Sequence, residues 1–142
     1  MYRIVVGSDH AGFRLKSLLA DDLRAAGHDV IDIGTHDESS VDYPEFGAAV
    51  AKTVASGDAE FGVAVCGTGI GISIAANRVP GARAAVCHDS TNARLAREHN
   101  DANVACFGER TMGTEVARDA LRTFLSTEFA EGRHQRRVDQ LG

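Results

Sequence analysis

A cysteine and three alternating glycines follow an apolar run in residues 61–77 (FGVAVCGTGIGISIAAN). The run at 63–65 is typical of a buried parallel strand, and residues 72–76 continue as a small-residue helix. The glycines leave the intervening turn without side chains, so successive backbone N–H groups can form an anion-binding nest at a helix N-terminus. Cys66 lies at the rim of this nest, a setting that favours a reactive thiolate. The glycines are Gly67, Gly69 and Gly71, and we expect the chemistry of the protein here.

Two other interpretations of this turn stay open. A dinucleotide-binding fingerprint, G-x-G-x-x-G, needs a third glycine where the chain has Ile72, or Ile74 if the count starts one glycine later. Asp89 nevertheless lies about twenty residues further on, where such folds carry the acid that binds a ribose hydroxyl. A tight turn that binds nothing would have the same composition.

Strand-like and helix-like patterns alternate along the whole chain, without a linker, a repeat or a low-complexity segment. Helical spacing of leucines ends at Gly27, and Pro44 suits the first turn of another helix. Repeated β-α units with short connections predict one domain over residues 1–142. Its fold would be α/β, a three-layer α/β/α Rossmann-like sandwich around a five-stranded parallel sheet with right-handed crossovers. The predicted strands cover 3–7, 30–33, 63–65, 82–87 and 104–107, and a last short helix covers 133–141.

Chemically active side chains follow each predicted strand. Because ligands of parallel α/β sheets bind beyond the carboxyl ends of the strands, we expect these side chains to share one site. A metal site built from His10, His36, His88 and the carboxylates of this edge stays open, although no H-x-x-x-H spacing supports it. The segments at this edge are Ser8-Asp9-His10, Thr35-His36, Cys66-Gly67-Thr68, Cys87-His88-Asp89 and Gly108-Glu109-Arg110.

The composition excludes several classes of protein. The chain has 142 residues, 44% of them hydrophobic and 25% charged, which is ordinary for a globular domain, and its net charge of −5 argues against a general nucleic-acid binder. No apolar run approaches the roughly 18 residues of a membrane span, and MYRIVVGSDH lacks a signal-peptide pattern, so we expect a cytoplasmic protein. The three cysteines are widely spaced, so neither a disulfide framework nor a thiolate zinc site is expected. Cys87 and Cys106 lie in apolar runs and are expected to be buried.

The C-terminal segment EGRHQRRV is locally basic in an acidic chain. On a helix Arg133 and Arg137 are i,i+4 neighbours with Arg136 close by, which suits an anion bound between them. A solvated terminal helix would give the same pattern. His99, near the end of another predicted helix, is either a partly buried structural residue or a proton shuttle above the glycine turn.

Six motifs recur together in one known group of proteins. They are GSDHAGF at 7–13, DYP at 42–44, CGTGIGISIAANR at 66–78, REHNDANV at 97–104, FGER at 107–110 and GRHQRRV at 132–138. In this order, and without large insertions, they resemble the type B ribose-5-phosphate isomerases of the ribose/galactose isomerase family. The resemblance covers essentially the whole chain.

The resemblance implies an aldose–ketose isomerase of phosphorylated sugars in the pentose phosphate pathway, without metal or cofactor. It implies a homodimer or a dimer of dimers with active sites shared between subunits, and no nucleic-acid or membrane partner. Cys66 would be the base that moves a proton between C1 and C2, and backbone amides of the turn would hold the enediolate oxygen. His99 would assist ring opening, and Asp9 would bind sugar hydroxyls and share that task. Thr68 would be a further catalytic residue beside these amides. The remaining implied contacts are Gly67, Gly69, Ile70 and Gly71 in the turn, Tyr43 and Asn100 at the sugar, and His10, Arg110, Arg133 and Arg137 at the phosphate.

One position decides between branches of the family. In one branch a serine replaces the cysteine, and a glutamate four residues later is the base. Here that later position is Ile70, which cannot take a proton, so the chain resembles the branch with a cysteine base. Ribose 5-phosphate is the expected substrate, while tetrose and hexose phosphates (erythrulose, allose or galactose type) stay open. A non-catalytic phosphate- or nucleotide-binding module is the alternative outside enzymes.

Overall fold

Five strands alternate with six helices in the computed structural model, which describes residues 1–142. The strands are β1 (Arg3–Ser8), β2 (Asp29–Asp32), β3 (Phe61–Cys66), β4 (Ala84–Val86) and β5 (Val104–Gly108). The helices are α1 (Phe13–Ala25), α2 (Tyr43–Ala55), α3 (Ile70–Asn77), α4 (Ser90–Asn100), α5 (Thr114–Ser126) and α6 (Arg133–Asp139). The predicted β-α alternation is confirmed. None of the helices has the length and apolar composition that a membrane crossing requires.

All five strands are parallel and lie in the order β2-β1-β3-β5-β4. The chain moves outward from β1 to β2 and then returns to the other side of β1 with β3. The strand order therefore reverses between β1 and β3, and α1 and α3 pack on opposite faces of the sheet. A crevice opens at such a reversal point, beyond the carboxyl ends of the strands. Ser8 and Cys66, the last residues of β1 and β3, border it.

Each face of the sheet carries its own hydrophobic core. Because successive strand residues point to opposite faces, Val6 and Val65 join the core under α1, α4 and α5. Val5 and Cys66 join the core under α2 and α3. These two cores confirm the predicted three-layer α/β/α sandwich.

Strand β4 is shorter than the predicted strand over 82–87. The N–H of Ala82 donates to the carbonyl of Val79 (3.1 Å) in a turn, so regular pairing with β5 begins only at Ala84. Since β4 is an edge strand, its outer backbone groups need other partners. The side chain of Asn77 bonds to both the N–H and the carbonyl of Ala84, at 2.8 and 2.9 Å. Helix α6 likewise ends at Asp139, before the predicted end at 141.

A buried lysine joins α1 to the segment that follows β2. Lys16 is 1% exposed, and its Nζ donates to both carboxylate oxygens of Asp32 (3.0 and 2.9 Å) and to the carbonyl of Thr35 (2.8 Å). All three ammonium donors therefore have partners, which is the condition for burying such a charge. The contact fixes this segment beside the end of β1, where the N–H of Ser8 donates to the carbonyl of Gly34 (2.8 Å).

Gly12 allows the start of α1 to approach the end of β3 closely. A Cβ at this position would lie 2.5 Å from the carbonyl oxygen of Val65 and 2.8 Å from its Cγ1. The N–H of Gly12 also donates to Oδ1 of Asp9 (3.0 Å). The turn that orients Asp9 therefore depends on the absence of a side chain at position 12.

The substitution Gly12→Ala should lower the free energy of unfolding by about 2–3 kcal/mol, because backbone must move to admit the methyl group. Urea denaturation measures this loss. Gly113→Ala is the matched control, since a Cβ there meets only Cγ2 of Val116 at 3.8 Å. The control should stay within about 1 kcal/mol of the wild type. Equal stability of the two variants would contradict the close approach.

Candidate active site

Asp9 and His10 follow β1 at the reversal point of the strand order. Asp9 is 6% exposed, its N–H donates to the carbonyl of Val65 (3.3 Å), and its Oδ1 accepts the N–H of Gly12. Its second carboxylate oxygen accepts no hydrogen bond from the chain. Nδ1 of His10 lies 3.2 Å from both the nitrogen and the carbonyl oxygen of Val41. Nδ1 therefore has a partner whether or not it carries a proton, and Nε2 is left for a ligand.

The turn after β3 forms the expected backbone nest, with Gly69 in the left-handed region at φ 78°. The Sγ of Cys66 accepts the N–H of Gly69 (3.1 Å), and the hydroxyl of Thr68 accepts the N–H of Ile70 (3.1 Å). An N–H donated to sulfur strengthens when the sulfur becomes negatively charged. Three further N–H groups of the turn donate to no group of the chain, those of Gly67, Thr68 and Gly71.

Two side chains border the nest. Arg110 runs along the backbone of Gly67, where a Cβ would lie 3.3 Å from its Cδ and 3.4 Å from its Nη1. The ring of Tyr43 packs on Gly71, where a Cβ would lie 2.7 Å from the ring. The carboxyl edge thus brings together a thiol, a carboxylate, an imidazole, a guanidinium and free N–H donors.

Glu109 holds this edge together, and the sequence analysis gave it no role. Its N–H donates to the carbonyl of Cys66 (3.0 Å), and its Oε1 accepts the N–H of Leu15 (2.8 Å) in the first turn of α1. The next residue, Arg110, donates its N–H to the carbonyl of Gly67 (2.9 Å). The signal for this role was the position of Glu109 directly after a strand, since a carboxylate there can cap a neighbouring helix N-terminus.

The three cysteines differ in their surroundings. Cys66 is 4% exposed, so its sulfur lies deeper than the expected rim position, beneath the turn. Burial raises the pKa of Cys87 to about 12. Burial also raises the pKa of Cys106 well above its usual range, with smaller contributions from Cys87 and Cys66. Both of these thiols are buried as predicted and stay protonated near neutral pH.

A second group of predicted site residues lies at the opposite edge of the sheet. Helix α4 starts beyond the carboxyl end of β4 and returns to the start of β5, so His99 and Asn100 at its end lie near the amino ends of the strands. Helix α6 lies there too, because the ring of His134 stacks on His99 at 4.4 Å. Arg133 and Arg137 are exposed on this helix. Within one chain, His99 does not lie above the glycine turn, because the two lie at opposite edges of the sheet.

No group of three or more histidine, cysteine, aspartate or glutamate side chains is placed to hold a metal ion. His36 and His88 are exposed. A cavity of about 640 Å³ lies between α1 and α5, lined by Leu19, Leu121 and the Asp22–Arg118 ion pair, and it contains none of the predicted site residues. The predicted site residues therefore lie outside this cavity.

Comparison with known proteins gives a consistent set of relatives. Residues 4–141 match the model of the family described as Ribose/Galactose Isomerase. Ribose-5-phosphate isomerase B of Escherichia coli is 44% identical over 141 residues, which cover 99% of this chain and 95% of that protein. A galactose-6-phosphate isomerase subunit of Clostridium acetobutylicum is 43% identical over 126 residues, 89% of this chain and 73% of that protein. The solved structure of Clostridium thermocellum ribose-5-phosphate isomerase B superimposes with a TM-score of 0.98 at 54% identity, covering 99% of this chain and 95% of that one.

Iodoacetamide at pH 8 should modify Cys66 in preference to the other two cysteines. The thiolate fraction of Cys87 is about 10⁻⁴ at this pH, four units below its pKa of about 12. Peptide mass mapping after timed labelling identifies the modified residue. Labelling should disappear in Cys66→Ala, and equal labelling of Cys87 or Cys106 in the folded protein would contradict this ordering.

Proposed function

The chain belongs to the ribose/galactose isomerase family, and on that basis we propose that it interconverts ribose 5-phosphate and ribulose 5-phosphate. It is a sugar-phosphate aldose–ketose isomerase. The observation that carries the proposed mechanism is the Cys66 sulfur bonded to the N–H of Gly69, in a turn where three further N–H groups donate to no group of the chain. The proposed reaction belongs to the pentose phosphate pathway in the cytoplasm.

In this mechanism the Cys66 thiolate removes the proton from C2 of the open-chain aldose. The electrons of that bond form the C1–C2 double bond, and O1 becomes the negatively charged oxygen of an enediolate. The proton returns to C1 and the hydroxyl proton on O2 is transferred to O1, which leaves the ketone at C2. Backbone N–H groups of Gly67 and Gly71 are available to donate to the charged oxygen. Loss of one such donor typically raises the barrier by about 3–4 kcal/mol.

Asp9 and His10 have complementary tasks in the same proposal. Asp9 keeps one carboxylate oxygen free for a sugar hydroxyl, while its other oxygen is fixed by Gly12. Nε2 of His10 and the guanidinium of Arg110 are free to bind the phosphate. Phosphate binding at a distance from the reacting carbons would hold C1 and C2 against the thiol.

The site requires a second copy of the chain. His99, Asn100, Arg133 and Arg137 lie at the amino edge of the sheet, and the thiol lies at the carboxyl edge. A two-fold axis across α3 would place the amino edge of one copy beside the carboxyl edge of the other. This helix carries an exposed apolar pair, Ile70 and Ile74, at 53% and 59% exposure. We therefore propose a homodimer with two shared sites, in which ring opening by His99 is supplied in trans; a dimer of dimers would contain the same unit.

Hexose phosphates are the second candidate substrates. The observation that favours them is the galactose-6-phosphate isomerase subunit that is 43% identical to this chain. Comparing kcat/KM for ribose 5-phosphate, erythrulose 4-phosphate, allose 6-phosphate and galactose 6-phosphate separates these substrates.

The substitution Cys66→Ala should abolish isomerisation of ribose 5-phosphate, with kcat falling at least about 10³-fold, because no other group can take the C2 proton. NMR in deuterium oxide measures both turnover and incorporation of deuterium next to the carbonyl. Cys87→Ala is the matched control and should keep activity within about twofold, because Cys87 is buried in the core on the opposite face of the sheet from Cys66. Residual activity near the wild-type level in Cys66→Ala would exclude the thiol as the base. No deuterium incorporation by the wild type would indicate a binding module.

Co-expression of Cys66→Ala with Arg137→Ala should restore activity that neither variant has alone. A mixed dimer holds one site with both defects and one site with neither, so random pairing leaves about one quarter of the sites intact. Activity per subunit of the purified mixture measures the recovered fraction. If each chain formed its site alone, no mixture could exceed the two separate variants.

A further inference from the structure

Helix α6 is held on the protein by few contacts. It has seven residues, and Val138 is its one buried side chain. Its arginines at 133, 136 and 137 are all exposed. A helix this short has little stability of its own, so its position depends on the groups that anchor it.

Arg97 is the first anchor. It is 7% exposed and lies on α4 just before His99. Its Nη1 donates to Oδ1 of Asp101 (2.9 Å) and to the carbonyl of Ala102 (2.7 Å), and its Nε donates to the carbonyl of Thr127 (3.2 Å). One guanidinium thus joins the end of α4 to the start of the segment that leads from α5 to α6.

Two aromatic rings enclose this guanidinium. They lie 5.0 and 5.7 Å from its central carbon, and they are the rings of Phe61 and Phe124. The planar guanidinium can stack on aromatic rings and donate several hydrogen bonds in its own plane at the same time. A lysine ammonium cannot do both. The position of the guanidinium is therefore fixed from several directions.

His134 is the second anchor. Its ring is nearly parallel to that of His99, with an interplanar angle of 16°. Between the two anchors, the N–H of Ala130 donates to the carbonyl of Glu98 (3.1 Å). Burial, followed by the nearby charges of His99, Arg133 and Arg137, lowers the pKa of His134, while Glu98 opposes this effect. The positively charged form of His134 is therefore disfavoured in the stack.

We propose that Arg97 and His134 are positioning residues that hold α6 on the end of α4. Through them, the imidazole of His99 and the phosphate-binding arginines form one unit before substrate arrives. The expected effect on catalysis rests on the proposed function. The docking of α6 does not depend on that function. Neither residue needs to touch the substrate, and their replacement acts through the position of the helix.

Limited trypsin digestion tests the docking directly, because the three exposed arginines are its cleavage sites in α6. Arg97→Lys and His134→Ala should each increase the rate of cleavage at residues 133–137 about tenfold or more. The first variant loses the hydrogen bonds of the guanidinium, and the second loses the ring that stacks on His99. His134→Phe keeps a ring in the stack and should retain most of the protection. Arg118→Lys is the matched control, because that guanidinium joins α5 to Asp22 of α1 without contacting α4 or α6, and its cleavage should equal that of the wild type.

Kinetics then test the consequence of docking. In Arg97→Lys and His134→Ala, KM for ribose 5-phosphate should rise about tenfold or more, with His134→Phe close to the wild type. Labelling of Cys66 by iodoacetamide should keep its rate, because the carboxyl edge is unaffected.

The proposal would be overturned by unchanged cleavage in both Arg97→Lys and His134→Ala. It would also be overturned if α6 of the wild type were cleaved as fast as a free peptide of the same sequence. A raised KM with unchanged cleavage would also overturn it, because the residues would then act on the substrate. Absence of isomerase activity in the wild type would refute the proposed function and leave the digestion result to decide the docking.

Discussion

Parallel pairing of the strands is the constraint on which the arrangement of the site depends. Each strand ends at one edge of the sheet, and each return helix must bring the chain back to the other. Residues that end or follow strands, such as Cys66, therefore share one edge, and residues near the ends of the return helices, such as His99, share the opposite edge. For a strand the length of β3, the two edges are roughly 17 Å apart. A site that uses both groups cannot close within one chain, so oligomerisation is part of the catalytic geometry that we propose.

At the carboxyl edge, backbone N–H groups supply the hydrogen-bond donors that side chains supply in many other sites. The left-handed Gly69 turns the chain so that its N–H reaches the Cys66 sulfur, and the N–H groups of Gly67, Thr68 and Gly71 remain without partners. The ring of Tyr43 leaves no room for a Cβ at Gly71, and a Cβ at Gly67 would lie only 3.3 Å from the side chain of Arg110. The glycines therefore serve two purposes, conformation at one position and close approach at the others. Donors fixed in this way need no reorganisation when charge develops.

The sequence was sufficient for the fold and for much of the carboxyl edge, because periodicity and strand ends are local signals. It could not place β4 accurately, since pairing there depends on the side chain of Asn77. It could not place His99 relative to Cys66, because the direction in which α4 returns is set by the sheet and not by the helix's own residues. The sequence also could not predict how deeply Cys66 is buried, since this depth depends on how α2 and α3 pack over β3.

Buried cations mark the places where sequence patterning was least informative. Lys16 and Arg97 interrupt the apolar faces of their helices, and a hydrophobic pattern alone assigns both to the surface. Each is nevertheless buried, with hydrogen bonds to a carboxylate and to backbone carbonyl oxygens. A buried ion pair adds little to stability compared with apolar packing, whereas it fixes geometry, because moving either partner leaves a charge without a partner. Lys16 fixes the segment beside Asp9 at one edge of the sheet, and Arg97 fixes the end of α4 beside His99 at the other. The two halves of the proposed site thus each rest on one enclosed positive charge.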